Sequence, residues 1–88
     1  MSEPEKFWVY ILECRGGIYY TGQTSRLTER MLEHMSGKGA KYTRGKRWPC
    51  RLCHAEEFLT RGEAMKRENK IKKMSRKQKE ELINAVED

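Results

Sequence analysis

Residues 7–22, FWVYILECRGGIYYTG, are the stretch that decides the fold. Residues 7–12 are aromatic or aliphatic on both alternating faces, which is typical of a strand buried on both sides of a sheet. Arg15-Gly16-Gly17 is a turn signal, and residues 18–22 resume a strand composition. We therefore predict a β-hairpin whose first strand lies at the centre of the sheet.

The length of the hairpin turn decides which tyrosines share a face, because side chains alternate along a strand. A three-residue turn puts Tyr10 on the same face as Tyr20, whereas a two-residue turn would put Tyr10 beside Tyr19. With three residues in the turn, Tyr10 lies opposite Gly22, and we expect open space for a ligand beside its hydroxyl. Aromatic residues in strands more often serve packing, so a core role also fits this pattern.

Helix and strand signals continue after the hairpin. Apolar residues recur every four positions from Leu27 to Met35, which predicts a helix that begins at a Ser25 cap and ends near Ser36. Residues 51–58 have the composition of a third strand.

Two capping signatures follow the third strand. Thr60 with Glu63, and Ser75 with Gln78, each predict the start of an amphipathic helix. The order is therefore β-β-α-β-α-α, which predicts an α+β fold with a small three-stranded antiparallel sheet flanked by helices. We expect one domain over residues 1–88, with its core at about 7–83.

The composition narrows the classes of partner. Of 88 residues, 36% are charged, and the net charge of +6 favours polyanions such as nucleic acid. The longest apolar run, residues 7–12, is far shorter than the roughly 20 residues that span a bilayer. Residues 1–5 lack the basic start of a signal peptide, so we expect a cytoplasmic protein without a membrane partner.

Three cysteines are an odd number, which argues against a disulfide framework and favours reduced thiols. Cys50, Cys53 and His54 also match the spacing of a c-type haem attachment motif or of half a zinc site. A metal or haem protein is therefore a third, weaker interpretation. The simpler interpretation is two thiols and an imidazole on a strand.

Glu68 falls between Ala64 and Ile71 on the apolar stripe of the second helix. A carboxylate at the rim of the core requires a nearby cation, which is either a metal ion or a side chain. The simpler alternative is an ion pair with Lys72, four residues later.

Arg30 and His34 are four residues apart at the edge of the first helix's apolar stripe. An arginine suits a phosphate, because its planar guanidinium offers two parallel donors and stays charged. A solvated arginine on a helix face is the alternative interpretation.

These residues resemble the four-part signature of the GIY-YIG nuclease superfamily. The matching parts are Trp8-Val9-Tyr10, Tyr20-Thr21-Gly22, Arg30 and Glu68. Residues 37–44 and 63–68 also resemble recurring stretches of the small single-domain bacterial members, whose function is uncharacterised, and the resemblance covers about residues 7–83.

The resemblance implies an endonuclease that hydrolyses DNA phosphodiester bonds with one divalent ion, Mg²⁺ or Mn²⁺, as in DNA repair or processing. Glu68 would bind the ion, Tyr10 and Tyr20 would orient or activate water, and Arg30 would stabilise the phosphate. His34 would share the role of the tyrosines.

DNA contacts would come from a basic loop and from the basic run at residues 70–79. The loop residues are Lys38, Lys41, Tyr42, Arg44, Lys46 and Arg47. Such contacts are salt-sensitive and nearly independent of base sequence. A non-catalytic nucleic-acid-binding module is the alternative function. RNA as a substrate, a protein partner for targeting, and the oligomeric state are left open by the sequence.

Overall fold

A computed structural model describes residues 6–36 and 49–85, and within these ranges it contains three strands and three helices in the predicted order. The elements are β1 (Phe7–Cys14), β2 (Ile18–Thr24), α1 (Leu27–Met35), β3 (Cys50–Phe58), α2 (Arg61–Lys72) and α3 (Arg76–Asn84). The strands form an antiparallel sheet in the order β2-β1-β3, which confirms the α+β class and the central place of the first strand. None of the described helices is long and apolar enough to cross a membrane.

The β1–β2 turn has the three-residue length that places the two tyrosines on one face. The φ angle is 85° at Gly16 and 75° at Gly17, in the left-handed region that glycine adopts without steric cost. The Gly17 N–H closes the turn by donating to the carbonyl of the last residue of β1 at 3.0 Å. The resulting register pairs Tyr10 with Gly22 and confirms that Tyr10 and Tyr20 share a face.

β1 is buried on both sides because each face of the sheet carries its own apolar core. On one side, which we call the α2 face, Val9 and Ile11 pack against Ala64 and Ile71 of α2, and all four are 0% exposed. The opposite side, the α1 face, has a core of Tyr10, Leu12, Cys14 and Cys50, surrounded by Tyr20, Leu27 and Met31. Burying one large aliphatic side chain contributes about 1.5–3 kcal/mol, so β1 is the strand that both cores depend on.

The capping signatures of the last two helices are present in the structure. The Thr60 hydroxyl accepts the backbone N–H of Glu63 at 3.2 Å at the start of α2. At the start of α3, Ser75 and Gln78 form a reciprocal capping box. Each cap satisfies backbone N–H groups that a helix start otherwise leaves without a partner.

The predicted Ser25 cap of α1 is wrong. α1 has Arg26 at its N-cap position, with no side-chain cap hydrogen bond. β2 continues to Thr24, which pairs with Trp8, and the Thr24 hydroxyl accepts the Arg26 N–H at 3.0 Å. Because strand pairing extends up to Thr24, Ser25 serves as the connector and the helix begins later.

Arg76, the first residue of α3, attaches this helix to the hairpin. Its guanidinium donates to the Gly17 carbonyl at 2.6 Å and lies 4.7 Å from the centre of the Tyr19 ring. It also pairs with Glu80 at 3.1 Å. A cation above an aromatic ring contributes about 0.5–1 kcal/mol at an exposed site, so Arg76 helps to fix α3 against the turn.

Cys14 and Cys50 form a disulfide, which corrects the expectation of three reduced thiols. The register of β1 and β3 places these residues opposite each other, with their Cα atoms 4.0 Å apart. A bulge between Ile11 and Leu12 shifts the pairing of β3 and so determines this register. Cys53 is a free thiol of intermediate exposure.

We expect the native protein, purified without reductant, to take up one maleimide label, at Cys53, and to take up three labels after reduction and denaturation. The disulfide closes a chain segment of 36 residues, which stabilises the folded state by about 3–4 kcal/mol in the chain-entropy description. Cys14→Ser should therefore lower the free energy of unfolding by about this amount in urea titrations. Cys53→Ser is the matched control, and equal loss of stability in both variants would contradict the disulfide.

Candidate active site

Three ring side chains from three elements meet on the α1 face. Tyr10 of β1 and Tyr20 of β2 have ring centroids 6.3 Å apart. His34 of α1 lies 5.9 Å from the Tyr10 ring and 5.8 Å from the Tyr20 ring. Tyr10 and His34 are each only 1% exposed, so their polar atoms interact where little water competes. The structure thus brings together three of the residues singled out in the sequence.

Gly22 lies against the Tyr10 ring. A Cβ atom added at Gly22 would be 2.6 Å from the Tyr10 hydroxyl oxygen and 2.7 Å from its Cζ atom. The expected open space opposite Tyr10 is therefore wrong, because the tyrosine ring itself fills it. The missing side chain at Gly22 allows the Tyr10 ring to lie across β2 and directs its hydroxyl along the sheet.

The Tyr10 hydroxyl and the His34 imidazole are hydrogen-bonded. The distance from Tyr10 Oη to His34 Nε2 is 3.3 Å. When Nε2 carries no proton, the Tyr10 hydroxyl donates to it, and the two tyrosine lone pairs stay available to other donors. This arrangement can pass a proton from Tyr10 to His34.

Arg30 lies one helical turn before His34, and its side chain is 30% exposed. Its interaction with the Tyr10 hydroxyl raises the pKa of Arg30. Its guanidinium also lies 3.6 Å from a Glu33 carboxylate oxygen. Burial raises the pKa of Tyr10 above its ordinary value, although the hydrogen bond from Arg30 opposes this. Tyr10 is therefore a neutral hydroxyl at neutral pH, beside a permanent positive charge.

The pKa of His34 is lowered, first by burial and then by the positive charge of Arg30, against a weaker opposing effect of Glu33. Both main causes disfavour the imidazolium form. His34 is consequently neutral at pH 7 and keeps a ring nitrogen that can accept a proton.

Glu68 projects from α2 toward the α2 face, on the opposite side of the sheet from the ring cluster. Its side chain is 14% exposed, which confirms that it lies at the rim of the core. The Gln23 amide donates to Oε1 at 3.2 Å, and the Lys72 ammonium lies 3.3 Å from Oε2. The pair with Lys72 is therefore present, and among the influences on the pKa of Tyr10 the charge of Glu68 is the last in order of size.

Gln23 is a residue that the sequence argument missed. Alternation along β2 puts Gln23 and Thr21 on the α2 face, two residues apart. The Thr21 hydroxyl oxygen is buried and has no hydrogen-bond partner among the described residues. Side chains alternate along β2, so Gln23 lies on the face opposite to that of Gly22. This alternation was the signal that could have identified Gln23 as a neighbour of the second helix.

The donor atoms near Glu68 fit a hard divalent cation. They are the Glu68 carboxylate and the Gln23 amide, and Mg²⁺ binds oxygen ligands through one or two carboxylates while it keeps several waters. Within residues 6–36 and 49–85 there is no group of three or more His, Cys, Asp or Glu side chains that could hold a metal ion. Among the described residues, Glu68 would be a carboxylate ligand of such a site, completed by water and substrate oxygens.

The interpretation as a haem or zinc protein does not fit the structure. Cys50 is bonded to Cys14, so it cannot serve as a ligand together with Cys53. His54 lies 2.7 Å from a Glu56 carboxylate oxygen. Arg67 binds the same carboxylate through two hydrogen bonds of 2.8 and 2.9 Å, so His54 belongs to a charged network that links β3 to α2.

The predicted basic loop lies outside the described residues. Its members are Lys38, Lys41, Tyr42, Arg44, Lys46 and Arg47. The second basic segment is described, at the end of α2 and the start of α3. Its exposed cationic residues are Lys70, Lys72, Lys73, Arg76 and Lys77.

Comparison with protein families gives one match over most of the chain. The family described as the GIY-YIG catalytic domain matches residues 6–81. A UPF0213 protein of Halobacterium salinarum is 54% identical over 75 residues, which are 85% of this chain and 96% of that protein. A UPF0213 protein of Streptococcus pneumoniae is 46% identical over 94% of this chain and 83% of its own length.

Two solved structures are similar to this chain. The solution NMR structure of a UPF0213 protein from Bacillus halodurans is 49% identical in sequence and has a TM-score of 0.58. The alignment covers 89% of this chain and 82% of that chain. A solution NMR structure of a protein from E. faecalis is 45% identical in sequence and has a TM-score of 0.62. The alignment covers 94% of this chain and 88% of that chain.

We expect Gly22→Ala to lower the free energy of unfolding by about 1–3 kcal/mol, because its methyl group would overlap the Tyr10 ring. Gly62→Ala is the matched control, since a Cβ there meets no atom within 4 Å. In a helix that change should stabilise by about 0.5–1 kcal/mol. Thermal unfolding of both variants provides the measurement, and a Gly22→Ala protein as stable as Gly62→Ala would refute the contact.

His34 gives a specific pH dependence of stability. Because its pKa is lowered in the folded protein, the unfolded chain binds a proton more readily. The stability from neutral His34 is fully present above the unfolded pKa of about 6.5 and is lost as the pH falls toward the folded pKa. We expect urea titrations from about pH 7 to pH 5 to show this loss, and His34→Gln to show a flatter dependence. Identical slopes for both proteins would disprove the assignment.

Proposed function

The chain belongs to the GIY-YIG catalytic domain family, and from that premise we propose that it is a divalent-metal-dependent endonuclease that hydrolyses DNA phosphodiester bonds. The proposal rests on one observation above all, the 3.3 Å hydrogen bond between the Tyr10 hydroxyl and His34, beside which the positive charge of Arg30 acts on the same hydroxyl. A proton acceptor and a phosphate-binding cation then meet at one oxygen atom. This pairing suits phosphodiester hydrolysis, which gains from proton transfer and from stabilisation of the developing charge.

Tyr10 is the group that receives the proton of the attacking water. Its raised pKa makes a free phenolate rare at neutral pH, so it cannot act as a base alone. His34, neutral and 3.3 Å away, accepts the phenolic proton as Tyr10 takes one from water. The two residues then act as a relay, and Tyr20 fixes the orientation of both rings.

Arg30 binds the phosphate. Its side chain is partly exposed, so a substrate oxygen can reach the guanidinium without displacing the core. The planar guanidinium offers parallel donors to two phosphate oxygens and stabilises the negative charge that develops in the transition state.

Glu68 would hold the divalent ion, Mg²⁺ or Mn²⁺, with Gln23 donating to its other carboxylate oxygen. When bound, such an ion supplies charge stabilisation at the phosphate and lowers the pKa of bound water. Lys72 is exposed over half of its side chain. It can therefore leave the Glu68 carboxylate at the small cost of breaking a surface ion pair, roughly 0.3–0.5 kcal/mol.

The substrate strand would lie along the outer edge of β2. Gly22 and Gln23 are consecutive residues of this edge strand, and they face opposite sides of the sheet. Tyr10 contacts Gly22 and Glu68 contacts Gln23. A phosphate at this edge would therefore be within reach of Tyr10 on one face of the sheet and of Glu68 on the other. Only the thickness of one strand separates these two parts of the proposed site.

DNA affinity would come from sequence-independent phosphate contacts. The exposed cations of α2 and α3, together with the charges of the basic loop, would contact phosphates independently of the base sequence. A partner protein would then direct the enzyme to its target in DNA repair or processing.

A non-catalytic nucleic-acid-binding module is the second candidate function. The observation that favours it is the pairing of both Glu68 oxygens with side chains of this chain. In that case the basic surface binds DNA and no divalent ion is required.

The decisive experiment measures cleavage of labelled single-stranded, duplex and branched DNA with Mg²⁺ or Mn²⁺. We expect Glu68→Gln to abolish cleavage and Tyr10→Phe to slow it by about 10²–10⁴-fold. Glu57→Gln is the control, because Glu57 is exposed and pairs with Lys6, and it should cut like the natural protein.

Cleavage that survives Glu68→Gln, or a Tyr10→Phe protein that cuts as fast as the natural protein, would sink the proposed mechanism. Binding of all three DNAs without any product, in the natural protein and in every variant, would instead establish the non-catalytic module.

A further inference from the structure

An open cavity of about 520 Å³ lies beside the ring cluster, where α1 begins next to β1. Its lining residues are Trp8, Ser25, Arg26, Leu27, Thr28 and Glu29. Trp8 is half-buried, so its indole is held in place and still reaches the cavity. The cavity is distinct from the contacts of Tyr10, since none of Tyr10, Arg30 and His34 lines it.

The cavity combines an aromatic residue of β1 with an arginine at α1, as the candidate active site does, two residues earlier on the strand and four residues earlier at the helix. Trp8 and Tyr10 are two residues apart on β1 and share the α1 face, at a separation of about 7 Å along the strand. Arg26 and Arg30 are four residues apart on the chain at α1, a separation of about 6 Å along the helix axis. Trp8 with Arg26 is thus a second aromatic and guanidinium pair beside Tyr10 with Arg30.

Arg26 is available to a ligand. Its side chain is 75% exposed, and its only ion pair among the described residues is with Glu29 at 3.4 Å, which is itself 67% exposed. An exposed pair of this kind contributes little to stability. A phosphate can therefore replace the Glu29 carboxylate at little cost.

We propose that this cavity binds the nucleotide next to the cleaved phosphodiester, with its base stacked on Trp8 and its phosphate held by Arg26. The inference rests on the proposed function, which puts the cleaved phosphate at Arg30. An indole stacks on any base, so the contact recognises an unpaired base and not a particular sequence. In a duplex the same base face is covered by its neighbours. The cavity therefore selects single-stranded or locally unpaired DNA.

The test uses the full chain carrying Trp48→Phe, so that Trp8 is the remaining tryptophan. Two single-stranded probes are titrated in metal-free buffer, an octamer of thymidylate and an octamer of abasic residues with the same phosphates. We expect the thymidylate octamer to quench the Trp8 fluorescence and to bind at least about 5-fold more tightly than the abasic one, since stacking of a base contributes about 1–3 kcal/mol.

Two substitutions separate stacking from packing. Trp8→Phe should keep the preference for the thymidylate octamer, whereas Trp8→Leu, which remains apolar, should bind both octamers equally. Affinities of these variants are measured by fluorescence anisotropy of labelled probes. Equal binding of both octamers by the natural protein, or an unchanged preference in Trp8→Leu, would overturn the inference.

Failure of this inference is distinguishable from failure of the proposed function. Stacking is measured without metal and without cleavage, while the nuclease activity depends on Glu68 in a separate assay. Cleavage without a base preference would remove the Trp8 subsite and leave the nuclease intact. A base preference without cleavage would keep the subsite and assign it to a binding module.

Discussion

The contact between Tyr10 and Gly22 is the constraint on which the rest of the candidate site depends. Because Gly22 has no side chain, the Tyr10 ring lies against β2, with its hydroxyl 2.6 Å from the place where a Cβ would be. That position directs the hydroxyl to His34 and Arg30 of α1. The contact in turn depends on the three-residue turn, since any other turn length would place a different residue opposite Tyr10.

Because β1 is buried on both faces, this short chain can place side chains of the candidate site on both sides of one sheet. One core fixes α2 against the sheet and the other surrounds the rings, so neither helix can move without exposing apolar surface. Glu68 and Tyr10 consequently lie on opposite faces and contact neighbouring residues of the edge strand β2, Gln23 and Gly22. Burial also decides the charges on the α1 face. It keeps His34 and Tyr10 neutral, whereas Arg30, at the rim, stays charged.

Membership in the GIY-YIG family is the premise of the proposed nuclease function, in which these contacts would share one chemical purpose. The proposed relay requires a neutral imidazole beside a neutral phenol, and burial favours both of these states. A guanidinium in the same group opposes protonation of His34 and is suited to a phosphate. In the proposed mechanism, burial and charge together would support catalysis by residues whose free side chains would be weak bases or poorly placed.

The sequence by itself determined the features that depend on neighbouring residues. Turn length, alternation and capping residues predicted the element order, the central strand, the shared face of Tyr10 and Tyr20, and the starts of α2 and α3. These signals are local, since each relates residues only a few positions apart. The start of α1 was the local feature predicted wrongly, because pairing of Thr24 with Trp8 decided where β2 ends.

The tertiary structure alone decided which distant residues meet. The disulfide between Cys14 and Cys50, the partner of Glu68 at Gln23, and the depth at which His34 is buried all join separate elements. A bulge in β3 and the packing of two helices set these distances, and neither leaves a periodic pattern in the sequence. Local patterns therefore fixed the elements and their faces, while the contacts that create a site came from how the faces pack.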